Sequence, residues 1–178
     1  MKEFLQTLKD KNIYTIARVT VFQDPHYTKI HPELAVQSAS TQSPWKDRKG
    51  LSFLDVGGKE TWEYIVALSK ETSAIGFDEI NFDYIRYPSD GPMKDAVYKL
   101  SSGSKADQLE QFFQYLNQEM KKEGIVTSAD LFGMTTTNTD DLNIGQVWEK
   151  TLPYFDYVAP LVYPSHYPPG FNGWTNPN

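Results

Sequence analysis

Four short runs of apolar, β-branched and aromatic residues alternate along the chain with segments of helical periodicity. The runs are Ile13 to Phe22, Asp78 to Tyr84, Ile125 to Phe132 and Tyr157 to Tyr163. Between them, Lys59 to Ala74 carries Trp62, Ile65, Val66 and Ser69 on one face. Ala106 to Glu123 has Leu109, Phe112, Phe113, Leu116 and Met120 at helical spacing, an apolar stripe that predicts an amphipathic helix. A shorter helix is expected over Ile144 to Leu152, and an opening one around Phe4, Leu5 and Leu8.

The junctions carry a direction. Lys9-Asp10-Lys11-Asn12-Ile13, Ala74-Ile75-Gly76-Phe77 and Lys121-Lys122-Glu123-Gly124-Ile125 each read as a helix end passing at once into a strand. Turns into strands are short and the segments leaving them are long, which is the repeat of a parallel α/β sheet. Loops at the carboxyl ends of such strands are where open α/β sheets and (β/α)₈ barrels build their sites. A complete barrel needs about 250 residues, whereas the 178 residues here hold four legible strands. The reading is therefore one domain over residues 1–178, either a small doubly wound sheet or part of a TIM barrel. No repeat or linker divides it, and the Pro-, Gly- and Asn-rich tail from Pro164 reads as a loop cut before its next element.

Composition removes several function classes. The formal net charge is −6, and the longest basic stretch, Lys46-Asp47-Arg48-Lys49, is broken by an acid, so a nucleic-acid partner is disfavoured. Neutral or cationic glycans remain compatible. With no cysteine, thiolate metal sites, disulfides and cysteine nucleophiles are excluded. No apolar run approaches the ~20 residues of a membrane span, and the amphipathic start is unlike a signal peptide. Any export signal would lie outside this sequence.

Alternation along Asp78 to Tyr84 puts Ile80 and Phe82 on one face and Asn81 and Asp83 on the other. Asp83 then ends the strand, pointing inward, before the aromatic loop Tyr84-Ile85-Arg86-Tyr87-Pro88. Such a carboxylate is either a reacting group or a loop anchor paired with Arg86. In the next strand Val126, Ser128 and Asp130 share a face, and Asp130 is again at the carboxyl end. Strands joined by one crossover helix are usually neighbours, ~4.8 Å apart, which suits the ~5–5.5 Å carboxyl separation of a retaining glycosidase. Asp130 could equally be a turn residue before Gly133. Arg18, amid apolar sequence in the first strand, needs a carboxylate partner and could hold Asp83 charged, or could form a purely structural pair.

His26 follows the first strand, and Tyr163, His166 and Tyr167 follow the fourth. Asp24, His26, Asp83 and His166 could be imagined as a metal site, but no HxH or HExxH spacing supports one. Hydrogen bonds from the histidines to sugar hydroxyls account for the same residues. Trp45, Tyr87, Tyr163 and Tyr167 are candidate stacking platforms, whereas Trp62 and Trp148 fall in helical patterns as core. Asp55 is expected to cap the helix that follows it. No nucleophile elbow, phosphate loop or dinucleotide fingerprint occurs.

At these residues the sequence resembles the bacterial "putative glycosyl hydrolase" domain of exported proteins, a TIM-barrel group distantly like α-amylases. The matching stretches are Ile13 to Pro25, His31 to Val36, Trp45 to Leu51, Gly76 to Pro88, Ser128 to Gly133 and Tyr157 to Tyr167. The resemblance implies barrel strands three to six, with the remaining strands supplied from elsewhere, and a parent located outside the cell or in its envelope. It implies a carbohydrate substrate, no cofactor, Asp83 as nucleophile and Asp130 as general acid/base, although amylase-like enzymes usually place Glu in the second role. Arg18 would orient Asp83, and Asn81, Tyr87, His26, Tyr163, His166 and Trp45 would contact sugar. The rival readings are a non-catalytic glycan-binding barrel and a metal-dependent hydrolase.

Overall fold

The computed structural model describes residues 1–167 and 169–176. In chain order the elements are α1 (Lys2–Lys9), β1 (Ile16–Thr20), α2 (Tyr27–Ile30), β2 (Gln37–Ser38), α3 (Lys59–Ile75), β3 (Glu79–Asp83), β4 (Ala96–Val97), α4 (Lys105–Lys122), β5 (Val126–Phe132), α5 (Trp148–Thr151) and β6 (Tyr157–Leu161). Strands β1, β3, β5 and β6 form one sheet in that order, every pair parallel. Parallel neighbours joined through α3 and α4 give a partial (β/α) barrel, the one of the two parallel-sheet readings that the resemblance predicts. No helix among the described residues is long and apolar enough to cross a membrane.

The core lies between the sheet and α3 and α4. Ala17, Val19, Ile80, Phe82, Ala129 and Leu131 point to that side and are buried. They meet Trp62, Ile65 and Val66 of α3 and the stripe Leu109, Phe112, Phe113, Leu116 and Met120 of α4. Edge-on aromatic pairs knit the layer, with Phe22 5.0 Å from Phe112 and Phe113 5.3 Å from Phe155. Ser104 caps α4 by accepting the Asp107 N–H, and Lys121 and Lys122 sit in its last turn, where the helix dipole favours cations. Trp62 is core as expected, and Trp148 packs against it.

Two expectations shift. The helix expected from Ile144 begins only at Trp148, because the preceding residues are used elsewhere: the Ile144 carbonyl accepts the Tyr87 N–H, and the Gln146 side chain accepts the Phe132 N–H. Asp55 does not cap α3, whose N-cap is Gly58. Instead, fully buried Asp55 accepts the N–H groups of Gly57 and Leu100 and the Ser101 hydroxyl. It thereby ties the long segment after β1 to the long segment after β3. The small antiparallel pair β2–β4 and the Ser38 hydroxyl on Asp95 join the same two segments. Gly57 lies so close to this seam that a Cβ there would meet the Leu100 carbonyl oxygen at 2.1 Å.

Candidate active site

Strand register brings the carboxylates together. Phe82 pairs with Ala129, so Asp83 and Asp130 stand side by side one residue further, at the carboxyl ends of neighbouring strands. Thr20 is the register partner of Asp83, which puts Arg18 on the same face two residues earlier. The Arg18 guanidinium hydrogen-bonds Asp83 through Nη2, and its Nε lies 3.8 Å from Asp130 Oδ2. Arg18 thus spans both carboxylates, and the alternative of an Asp83–Arg86 pair is not what forms.

Asp83 is held from a second side. Its Oδ1 accepts the backbone N–H of Tyr84 at 2.6 Å, and Tyr84 itself has a left-handed backbone (φ 49°). A bulky side chain in that region costs ~1–2 kcal/mol, and such strain clusters at functional positions. Beneath the pair, Asn81 Nδ2 donates to Asp130 Oδ1 and to Ser128 Oγ, each at 3.1 Å. Ser128 donates in turn to Glu79, which also accepts the Tyr14 hydroxyl. Partial burial, followed by the hydrogen bond to Glu79, pushes the Tyr14 phenol up to about 12. Tyr14 therefore stays a donor at neutral pH, closing a chain that runs from the bottom of the sheet face to Asp130.

Above the carboxylates opens a cleft of about 810 Å³, lined by Arg18, Asp83, Tyr84, Arg86, Asp130, Phe132 and Tyr163 among others. Tyr163 is half exposed on it. Gln146, fully buried, bonds Phe132 N–H and the Ile85 carbonyl and so joins the walls built by the loops after β3 and β5.

Several sequence-predicted contacts are not part of this cleft. Trp45 is 1% exposed, and its indole N–H donates to the Pro92 carbonyl, so it is core of the joined loops and no stacking platform. Tyr87 is equally buried, its hydroxyl spent on Ser101. His26 is exposed on the loop before α2, away from the cleft, because Asp24 turns the chain there by accepting the His26 and Tyr27 N–H groups. Tyr167 stacks on Phe171 at 4.5 Å instead of lining the cleft. The side chain of His166 lies outside the described residues. Among the described residues no group of three or more acidic or histidine side chains is placed to hold a metal.

Glu79 and Tyr84 were not singled out from sequence. Period-two alternation places Glu79 on the face of Asn81 and Asp83, so the signal for it existed. Nothing in the sequence marks a tyrosine for left-handed backbone.

A family model described as "Putative glycosyl hydrolase domain" matches residues 1–178. Among curated proteins, none matches. A solved hypothetical protein from Ruminiclostridium thermocellum is 34% identical, with a TM-score of 0.66 over 80% of this chain and 66% of that one. Ega3 of Aspergillus fumigatus, solved with galactosamine, shares the fold at 10% identity, with a TM-score of 0.58 over 88% of this chain and 54% of that one. A noncanonic maltogenic α-amylase from Thermotoga neapolitana does so at 14% identity, with a TM-score of 0.55 over 88% and 30% respectively. The chain therefore spans less than two thirds of each of these solved structures.

Proposed function

The chain belongs to the glycosyl hydrolase family matched along its whole length, and from that premise we propose that it carries the catalytic face of a polysaccharide-cleaving glycosidase. The observation that carries the reading is one arginine, Arg18, set against two carboxylates, Asp83 and Asp130, at neighbouring strand ends in one cleft. Neighbouring strands ~4.8 Å apart suit the ~5–5.5 Å separation at which one carboxyl attacks and the other protonates.

The roles divide by contact. A nucleophile attacks as the anion, and Asp83 is the carboxylate in direct contact with the guanidinium. Asp130 has Oδ1 fixed by Asn81, while Oδ2 stands 3.8 Å from Arg18, beyond hydrogen-bond reach. That oxygen is free to give its proton to the leaving glycosidic oxygen and to take one from water in the second step. Asp83 forms and then loses a bond to the anomeric carbon. Tyr163 supplies an aromatic face for the sugar, and Asn81 positions the acid.

The open side of the site is part of the proposal. Ile16 and Tyr157, on the two edge strands β1 and β6, are more than half exposed. Unpaired edges and apolar surface of this kind call for further strands, from flanking sequence or a partner chain, to close the barrel. An exported, envelope or extracellular location belongs to the same proposal.

The test is hydrolysis of a panel of polysaccharides by the full-length protein, beside Asp83→Asn and Asp130→Asn. Each substitution is expected to lower the rate by at least about 10²–10⁴-fold. Hydrolysis that survives both would remove these residues from the chemistry. Binding without hydrolysis by the unsubstituted protein would make the cleft a glycan-binding site.

A further inference from the structure

Arg86 is the second guanidinium on the cleft, and unlike Arg18 it has no carboxylate partner among the described residues. Its Nη1 donates to the Tyr87 carbonyl at 3.0 Å and to Ser89 Oγ at 3.1 Å, and its guanidinium lies 5.4 Å from the Tyr84 ring centre. Nε and Nη2 have no partner among the described residues. The only sealed side-chain atoms there without a hydrogen bond are Thr61 Oγ1 and Tyr98 Oη, so the free edge of Arg86 is open. Burial of the rest of the group pushes its pKa down, yet a guanidinium stays charged in proteins. A guanidinium held by its other edge and presenting a free two-nitrogen edge to a cleft is preorganised to take an anion.

The surroundings leave that edge uncompensated. Arg86 lines the main cleft and also a groove of about 250 Å³ beside it. The groove brings Lys49, which has no ion pair among the described residues, and two carboxylates that are both engaged. Asp90 pairs with Arg48 at 3.1 Å. Asp47 accepts the N–H groups of Lys49 and Leu51 and the Gln23 amide. Two uncommitted cations thus face a concavity continuous with the cleft that holds Asp83 and Asp130.

We propose that Arg86, assisted by Lys49, binds an oxyanion carried by the substrate, the carboxylate of a uronic acid residue adjoining the sugar that is cleaved. This rests on the glycosidase reading above and names its substrate class. The planar free edge matches a carboxylate through two parallel hydrogen bonds. A chain of net charge −6 repels a uniformly charged polymer, so the acidic sugar occurs among neutral ones, in an acidic heteropolysaccharide. A sulfate ester offers the same oxyanion chemistry, and the experiment separates the two.

The experiment is calorimetric titration of full-length Asp130→Asn protein, a background expected to slow turnover by orders of magnitude while keeping Arg18 occupied by Asp83. The probes are a glucuronoxylan oligosaccharide, the same oligosaccharide with its carboxyl reduced to the alcohol, and a sulfated galactan oligosaccharide. The acid form is expected to bind about tenfold or more tighter than the reduced form, the value of a charge-assisted contact. Arg86→Gln is expected to erase that preference, so that the acid and reduced forms bind within about twofold of each other. Arg86→Lys, which keeps the charge and loses the fork, should leave about a threefold preference. Equal binding of acid and reduced forms by the Arg86 protein, or a preference that survives Arg86→Gln, overturns the proposal. Tighter binding of the sulfated probe overturns the uronate assignment. Should Arg86→Gln not fold, shown by its melting curve and loss of reduced-form binding, the acid-to-reduced ratio and Arg86→Lys decide. No binding of any probe, or binding without acid preference, sinks this subsite alone, whereas the glycosidase reading falls only if the full-length protein hydrolyses none of the polysaccharide panel.

Discussion

On one side of the sheet, Val19, Ile80, Phe82, Ala129 and Leu131 are sealed against α3 and α4, while on the other the same strands present Arg18, Asn81, Asp83, Ser128 and Asp130. The two faces are separated by a single residue step, since successive side chains point to opposite sides. The first face is aromatic and dry. The second is a string of hydrogen bonds ending in two carboxylates and an arginine whose side chain is 61% exposed. Stability and candidate chemistry are therefore interleaved along each strand, and the effect of a substitution should change in kind from one residue to the next.

The largest expected contrast is between Phe82 and its neighbour Asn81. Phe82→Ala removes a fully buried ring that packs 6.2 Å from Phe155 and is expected to cost ~3–5 kcal/mol in denaturant unfolding. Asn81→Ala should cost only about 1 kcal/mol, the value of a half-buried hydrogen bond. It frees Asp130 from its amide, however, and is expected to lower turnover by about tenfold or more through misplacement of the acid. A stability loss at Asn81 equal to that at Phe82 would break the division between faces.

Gly133 tests the seam between β5 and β6, just beyond Asp130. A Cβ there would meet the Leu161 carbonyl oxygen at 2.5 Å and the Tyr167 hydroxyl at 3.1 Å. Because the closest atom is backbone, relief requires β6 to move, and Gly133→Ala is expected to cost ~1–3 kcal/mol. Unfolding midpoints of the two proteins measure it. A neutral substitution would show that β6 is held more loosely than the other strands, which would sharpen the contrast to one between the covered centre and an open edge.

Much of this arrangement was legible in sequence where a period governs it. The α4 stripe and the four strands appeared because packing against one layer imposes spacing of 3.6 or 2 residues. Asp83, Asp130 and Arg18 were found because charges inside apolar strands stand out. What was missed depends on long-range closure. Trp45 and Tyr87 lie in loops, where aromatic residues suggest a binding surface, and only the tie through Asp55 to Leu100 and Ser101 shows that those loops have a core of their own. Arg86 read as a partner for Asp83 on proximity in sequence, but the left-handed turn at Tyr84 separates them and sends the guanidinium along the cleft wall.

The smallest expected effect compares two tyrosines, Tyr14 on the polar face and Tyr87 in the sealed loop core. Both phenols are pushed up to about 12, Tyr14 by partial burial and then Glu79, Tyr87 by burial that outweighs the hydrogen bond with Ser101. An unfolded tyrosine ionises near pH ~10, so above that pH the unfolded chain has released protons that the folded chain keeps. Unfolding then gains from rising pH: this contribution is fully present below about pH 10 and is lost as pH climbs toward 12. Tyr87→Phe should flatten this alkaline limb more than Tyr14→Phe, because the Tyr14 ring is half in water and its interactions are screened. Denaturant unfolding of the three proteins at intervals through the alkaline range measures the slopes. An equal or larger flattening from Tyr14→Phe would mean that water is kept from the polar face as well, and the distinction between a dry face and a wet one would have to be replaced by one between two dry faces that differ only in polarity.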